Sequence, residues 1–374
     1  MKAKPLGIYV HIPFCLKKCN YCDFCSFSDI DEKTREKYIL TLIDEIKSYK
    51  SQRKLSVNTV FFGGGTPSLL SVSEFHSICE AIADSFDISD VKEFTLEANP
   101  KTVTKKKLEA FKNCGVNRVS IGLQSIHDNE LKILGRIHNF EDFKAAYNVT
   151  LESGISNINV DVMYGIPEQT VDSFRMTLEA LIQMKPAHIS AYGLILEEKT
   201  KFWDIRDSLP LPDEDAECDM YELACGYLAS YGYNHYEISN YALSDKSSRH
   251  NLKYWHNEEY IGFGVSAYSY FSGKRYGNSS KLSEYLSENS RQYVSEEILS
   301  PSDKKYEHAM LALRLKEGIS LSEYEGLFGE SFLPGREEKI LRYIKAGYMT
   351  RTDDRIALTE KGFYISNTVL TDLL

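Results

Sequence analysis

Three cysteines, Cys15, Cys19 and Cys22, fall at C-x3-C-x2-C spacing directly after a short apolar run, Ile8 to Ile12. A loop this tight can wrap three thiolates around one face of an iron–sulfur cube. A protein-bound [4Fe–4S] cluster ordinarily takes four thiolates, so three leave one iron open to another ligand. Two other uses of clustered cysteines compete with this one. Structural zinc sites draw on separated ligand pairs, and no second cysteine pair follows here. Disulfides belong to oxidising compartments, and the first residues, Met1 to Pro5, lack the apolar core of a secretion signal. Cys25 is either a spare thiol or a cap for the fourth iron.

The chain has 374 residues, 43% of them hydrophobic, enough for one large α/β domain and a smaller one. A net charge of −10 gives a general nucleic-acid role no electrostatic support. No apolar run approaches the roughly 20 residues that span a bilayer, so no transmembrane segment is expected. The expected location is the cytoplasm. Cys79, Cys114, Cys218 and Cys225 lie in helix-like segments, where they are expected to be small buried apolar residues.

Strand and helix patterns alternate six times between Ile8 and Leu194. No seventh or eighth regular unit follows. The predicted architecture is therefore α/β, a partial (β/α)6 TIM-like barrel over residues 1–210. In such a fold the site lies at the C-terminal ends of the strands. The cysteine loop follows the first strand, and Gly63-Gly64-Gly65-Thr66-Pro67 follows the second, where missing side chains let the backbone approach a ligand. Glu97 ends the third strand and Gln124 the fourth, Asp161 lies in the fifth, and Arg136 offers a guanidinium suited to a carboxylate.

From about Leu211 the rhythm breaks. Residues 211–299 form a region rich in aromatics and histidines, including His250-Asn251-Leu252-Lys253-Tyr254-Trp255. An aromatic lid on the barrel mouth accounts for most of these rings. Beyond a linker at Leu299-Ser300-Pro301-Ser302, residues 300–374 read as helix, helix, short strand and a terminal helix over 360–374. That order is winged-helix-like, without a basic recognition helix, and a docking or capping role is expected of it.

The cysteine spacing, with Tyr21 before the last cysteine and His11-Ile12-Pro13-Phe14 ahead of the first, resembles the radical S-adenosylmethionine (SAM) superfamily, in its oxygen-independent coproporphyrinogen oxidase-like branch. The resemblance implies a [4Fe–4S] cluster on Cys15, Cys19 and Cys22, with SAM chelated by the open iron. It further implies SAM contacts from Tyr9, Tyr21, Gly64, Gly65, Thr66, Glu97, Gln124, Arg136 and Asp161, with Ile195 after the sixth strand. Within the branch, His-Asn-x-x-Tyr-Trp is similar to the motif of HemW-type haem chaperones, which implies haem as cargo, haem contact at His250, recipient haem proteins as partners, and an electron donor for the cluster. The alternative is the oxygen-independent coproporphyrinogen III oxidase of porphyrin biosynthesis. That enzyme has a long arm before the cluster and a cysteine two positions after the third; here His11 is near the start and Phe24 holds that position. Enzymatic turnover is thus the doubtful part of the resemblance.

Overall fold

Each apolar run becomes a parallel strand, and most of the helices that follow begin at a side-chain cap. The computed structural model describes residues 5–287 and 295–374; residues 1–4, part of the stretch read for a secretion signal, lie outside them. The strands are β1 (Leu6–Ile12), β2 (Val57–Gly64), β3 (Glu93–Ala98), β4 (Arg118–Gln124), β5 (Asn157–Tyr164) and β6 (His188–Gly193). Asp31 caps helix Glu32–Lys47, Thr104 caps Lys105–Asn113, and capping boxes at Ser71, Asn139 and Thr170 start Val72–Ser85, Phe140–Glu152 and Val171–Met184. Each cap satisfies an otherwise orphaned amide and is worth about 1 kcal/mol.

The six strands pair in chain order, but the barrel does not close. The outer neighbour of β6 is antiparallel β8 (Asn240–Ala242), itself flanked by β7 (Asn234–Glu237). On the other side β1 pairs in parallel with β9 (Tyr260–Phe263), and β10 (Tyr268–Phe271), β11 (Lys274–Gly277) and β12 (Ser295–Ile298) continue that edge. The aromatic region thus supplies both margins of one twelve-stranded sheet. Four-residue strands between turns carry too few alternations to show in the sequence.

Alternation sorts the strands' side chains. Val10, Phe62, Leu96, Ile121, Val160 and Ile189 are buried beneath the helices. The opposite, inner face is polar, and its groups bond one another. Asn159 donates to Ser120 (2.8 Å) and to Asp161 (2.7 Å), while His188 Nδ1 lies 2.5 Å from the Asn159 carbonyl oxygen. At the N-terminal ends of the strands helix Arg249–Trp255 closes the barrel floor. Glu93, the first residue of β3, accepts the amides of Arg249 (2.9 Å) and His250 (3.0 Å), placing a carboxylate at a helix start, where it is favourable.

The C-terminal part holds β13 (Ile319–Ser320), β14 (Met349–Arg351) and β15 (Arg355–Leu358) in the order β13-β15-β14, with helices Leu321–Phe328 and Glu337–Lys345 before the hairpin. This is the winged-helix-like arrangement expected. The single terminal helix read over 360–374 is instead two, Glu360–Tyr364 and Ser366–Leu373, broken at Ile365 (φ −105°, ψ 24°). The unit docks on the sheet margin through Lys316 N to Tyr236 O (3.0 Å) and Tyr221 Oη to Glu360 O (3.1 Å). Among the described residues no helix is long and apolar enough to cross a membrane.

Phe75 holds the helix-to-sheet packing together. Its ring is fully buried, 4.1 Å from Phe111 and 4.9 Å from Phe62 between centroids. Phe75→Ala is expected to cost about 3–5 kcal/mol, read as a fall in the denaturant midpoint.

Candidate functional site

The cysteine loop has almost no regular structure, so its shape is imposed by its surroundings. Cys15 N donates to Phe27 O (2.9 Å) and Phe27 N to Pro13 O (2.7 Å), pinching the base of the loop. At its tip Asn20 N reaches Leu134 O (3.0 Å), Asn20 Nδ2 reaches Ile133 O (2.8 Å), and Phe202 N donates to Asn20 O (2.9 Å). Tyr21 packs against Leu134, Met163, Ile166 and Phe202. Held this way, Cys15, Cys19 and Cys22 line one pocket of about 160 Å3 at the strands' C-terminal ends. Cys15 Sγ lies 3.6 Å from Thr66 Oγ1, and Arg136 Nη1 lies 3.5 Å from Cys19 Sγ.

The glycine run fits beneath the loop because it has no side chains. Gly64 has φ +106°, and a Cβ there would stand 2.5 Å from the His11 ring; one on Gly65 would stand 2.8 Å from Phe14 O. Gly64 N donates to Glu97 Oε2 (3.1 Å), joining the run to β3. Gln124 takes φ +70° at a register shift in β4, a conformation that costs a non-glycine residue about 1–2 kcal/mol and that marks functional sites.

Burial sets the electrostatics. It pushes the Cys22 thiol up to about 11, with the neighbouring Cys19 adding to the effect, so this thiol keeps its proton unless a metal displaces it. Burial, reinforced by the charge of Asp161, pushes Glu97 up to about 8. Burial also raises Asp161, which accepts from Asn159 and Ser120. Arg136 donates to Gly122 O (2.9 Å), yet its buried Nε has no partner. Three cysteines lining one pocket and an unspent guanidinium donor fit an iron–sulfur cluster with a carboxylate-bearing ligand beside it.

The pocket brings together Cys15, Cys19, Tyr21, Cys22, Gly64, Gly65, Thr66, Glu97, Gln124, Arg136 and Asp161. Tyr9 stands behind it, its hydroxyl 3.0 Å from His11 Nδ1 and its ring beside Gly63, near the Glu97 carboxyl. Ile195 is 68% exposed and outside the lining. Cys25 Sγ turns away to Ser280 O (3.3 Å), so in this arrangement it caps nothing.

The residue expected to contact haem, His250, lies at the closed end of the barrel. Its side chain is buried in the barrel floor, with Nδ1 3.0 Å from Thr59 Oγ1, Nε2 2.8 Å from Tyr254 Oη, and its ring stacked on Phe61 at 5.2 Å. Burial lowers it to about 3, and neither nitrogen is free. Sequence reasoning missed Ser120 and Gly122, which share the inward face of β4 with Gln124, and Asn99, just past Glu97. Period-two alternation alone could have found the first two.

An open parallel barrel whose first strand feeds a three-cysteine loop is the architecture of the radical SAM class, and the model described as Radical SAM superfamily matches residues 9–181. The HemN C-terminal domain model matches residues 299–365. A solved structure of coproporphyrinogen III oxidase (HemN) from Escherichia coli shares the fold, with a TM-score of 0.86 at 22% identity over 99% of this chain and 90% of that one. Relatives named heme chaperone HemW align along nearly the full length. The Lactococcus lactis protein is 36% identical, with 100% of this chain and 98% of that one covered. The Bacillus subtilis protein is 32% identical (96% and 97% covered), and that of Escherichia coli 34% (99% and 98%). The chain belongs to the HemW family.

The raised Glu97 has a testable sign. A carboxyl that folds with a pKa of about 8, against about 4.3 for a free glutamate, stabilises the fold through its proton. That contribution is complete below the free value and is lost as pH rises through the folded one. In cluster-free protein, Glu97→Gln is therefore expected to raise Tm relative to wild type at about pH 9 by more than at about pH 5. A difference in Tm that does not change with pH would contradict a protonated Glu97.

Proposed function

We propose that Cys15, Cys19 and Cys22 hold a [4Fe–4S] cluster, that SAM docks on the iron they leave open, and that the chain binds haem and passes it to recipient haem proteins in the cytoplasm. An electron donor would serve the cluster. What carries the reading is full-length identity of 30–36% to relatives named heme chaperone, joined to the three cysteines and strand-end polar groups that line one pocket.

When bound, the cluster and SAM supply one-electron reductive cleavage of a sulfonium carbon–sulfur bond. The chain's own groups bind and orient. The glycine run leaves room for SAM to approach the backbone, and the Glu97 carboxyl is placed to accept from its ammonium group. Arg136 offers its free Nε–H to a carboxylate while its Nη1 faces the Cys19 sulfur. Asp161 is held in place by Ser120 and Asn159, and Tyr21 walls the pocket from solvent. His250 supports the site from below, through Phe61 and Tyr9.

The test runs two assays on one anaerobically reconstituted preparation. Transfer of haem to an apo haem protein is expected, and multiple decarboxylation turnovers of coproporphyrinogen III with SAM and reductant are not; such turnovers would reject the carrier reading. Cys22→Ala is expected to lose its iron and to release haem more slowly. Transfer at the wild-type rate would separate cluster from cargo.

A further inference from the structure

His188, the first residue of β6, is fully buried and stands outside the lining of the cysteine pocket. In the strand register it lies opposite Asn159 on β5, while Asp161, two residues on, lies opposite Ser190. Asn159 in turn lies opposite Ser120 on β4. Period-two alternation puts all five on one face of the sheet, the inner one. Of the five, Ser120 and Asp161 reach the pocket at the barrel mouth. His188 lies one row deeper.

The hydrogens along this row follow from its end at Asp161. The carboxyl accepts from Asn159 Nδ2 (2.7 Å) and from Ser120 Oγ (3.1 Å). The Asn159 amide therefore turns its NH2 toward Asp161 and its Oδ1 toward β6. That oxygen accepts from Ser190 Oγ (3.1 Å) and lies 2.5 Å from His188 Nδ1, so Nδ1 carries the hydrogen. Burial, with the charge of Arg118 adding to it, holds this imidazole well below the usual histidine range and keeps it neutral. Its Nε2 is then an acceptor, and Tyr236 Oη, 2.7 Å away, donates to it. Tyr236 falls at a register shift between β7 and β8, where an extra residue re-aims its side chain. Ser248 N donates to the same hydroxyl (3.1 Å).

The hydrogens of Tyr236, His188 and Asn159 thus all point one way, toward Asp161. A row polarised in one direction strengthens each of its bonds. If the Asn159 amide turned over, its carbonyl would face the carboxyl, oxygen against oxygen. The His188 Nδ1–H opposes that turn, because it would then meet the amide NH2, donor against donor. One imidazole away from the pocket therefore sets which atom Asp161 meets.

Resting on the reading that SAM docks in the cysteine pocket, we propose that His188 is a positioning residue for the SAM site, fixing the Asn159 amide that orients the Asp161 carboxyl. SAM is titrated into the reduced, anaerobically reconstituted full chain, and its effect on the cluster's electron paramagnetic resonance spectrum is followed. Leucine and asparagine share one shape, and of the two only asparagine can place a donor near the Nδ1 position. His188→Leu is expected to weaken SAM binding about tenfold with iron content unchanged. His188→Asn is expected to stay within about threefold of wild type. Equal SAM affinity in the two variants overturns the positioning role and leaves the SAM reading standing. Should the leucine variant fail to fold, His188→Gln takes its place, since the longer side chain carries its amide toward Tyr236 and away from Asn159. Affinity equal to that of His188→Asn again overturns the role. A wild-type spectrum that ignores SAM overturns both the SAM reading and the role of His188.

Discussion

The cysteine loop is shaped by backbone hydrogen bonds to parts of the chain far away in sequence. Asn20 sits at the centre of this arrangement. It is tied to the carbonyls of Ile133 and Leu134 and to the amide of Phe202, so the same anchor that sets the loop tip also brings Cys19 beside Arg136. Ligand geometry and guanidinium placement are one constraint here. A change at Asn20 would disturb both without touching a sulfur.

Around this anchor, the polar inner face and the glycine run explain each other. Burial raises both Glu97 and Asp161, the charge of Asp161 raises Glu97 further, and the buried Arg118 at the start of β4 offsets both. Groups this costly to bury are held by a scaffold whose outward face is almost wholly apolar. The barrel thus has two distinct ends. One is a mouth of sulfur, glycine and charge. The other is a floor sealed by a helix whose start is held by Glu93.

Much of this was legible from residues alone. Six strands at their strand-end positions and eleven pocket-lining residues follow from alternation, the cysteine spacing and the resemblance those motifs carry. The margins were not legible, because β7 to β12 are short and are joined to the barrel through β8 on β6 and β9 on β1, partners far off in sequence. His250 shows a different limit. Its motif pointed to cargo, but whether an imidazole is free depends on Thr59 and Tyr254, one of them 191 positions away. Cys25 was ambiguous for a similar reason: the carbonyl that takes its thiol belongs to Ser280.

A file of rings runs along the barrel from His250 to Phe61 (5.2 Å), to Tyr9 (6.1 Å), to His11 (6.0 Å). Such a column is a stopper. The column separates the sulfur-bearing mouth from the helix-sealed floor, so a change at either end reaches the other through packed rings.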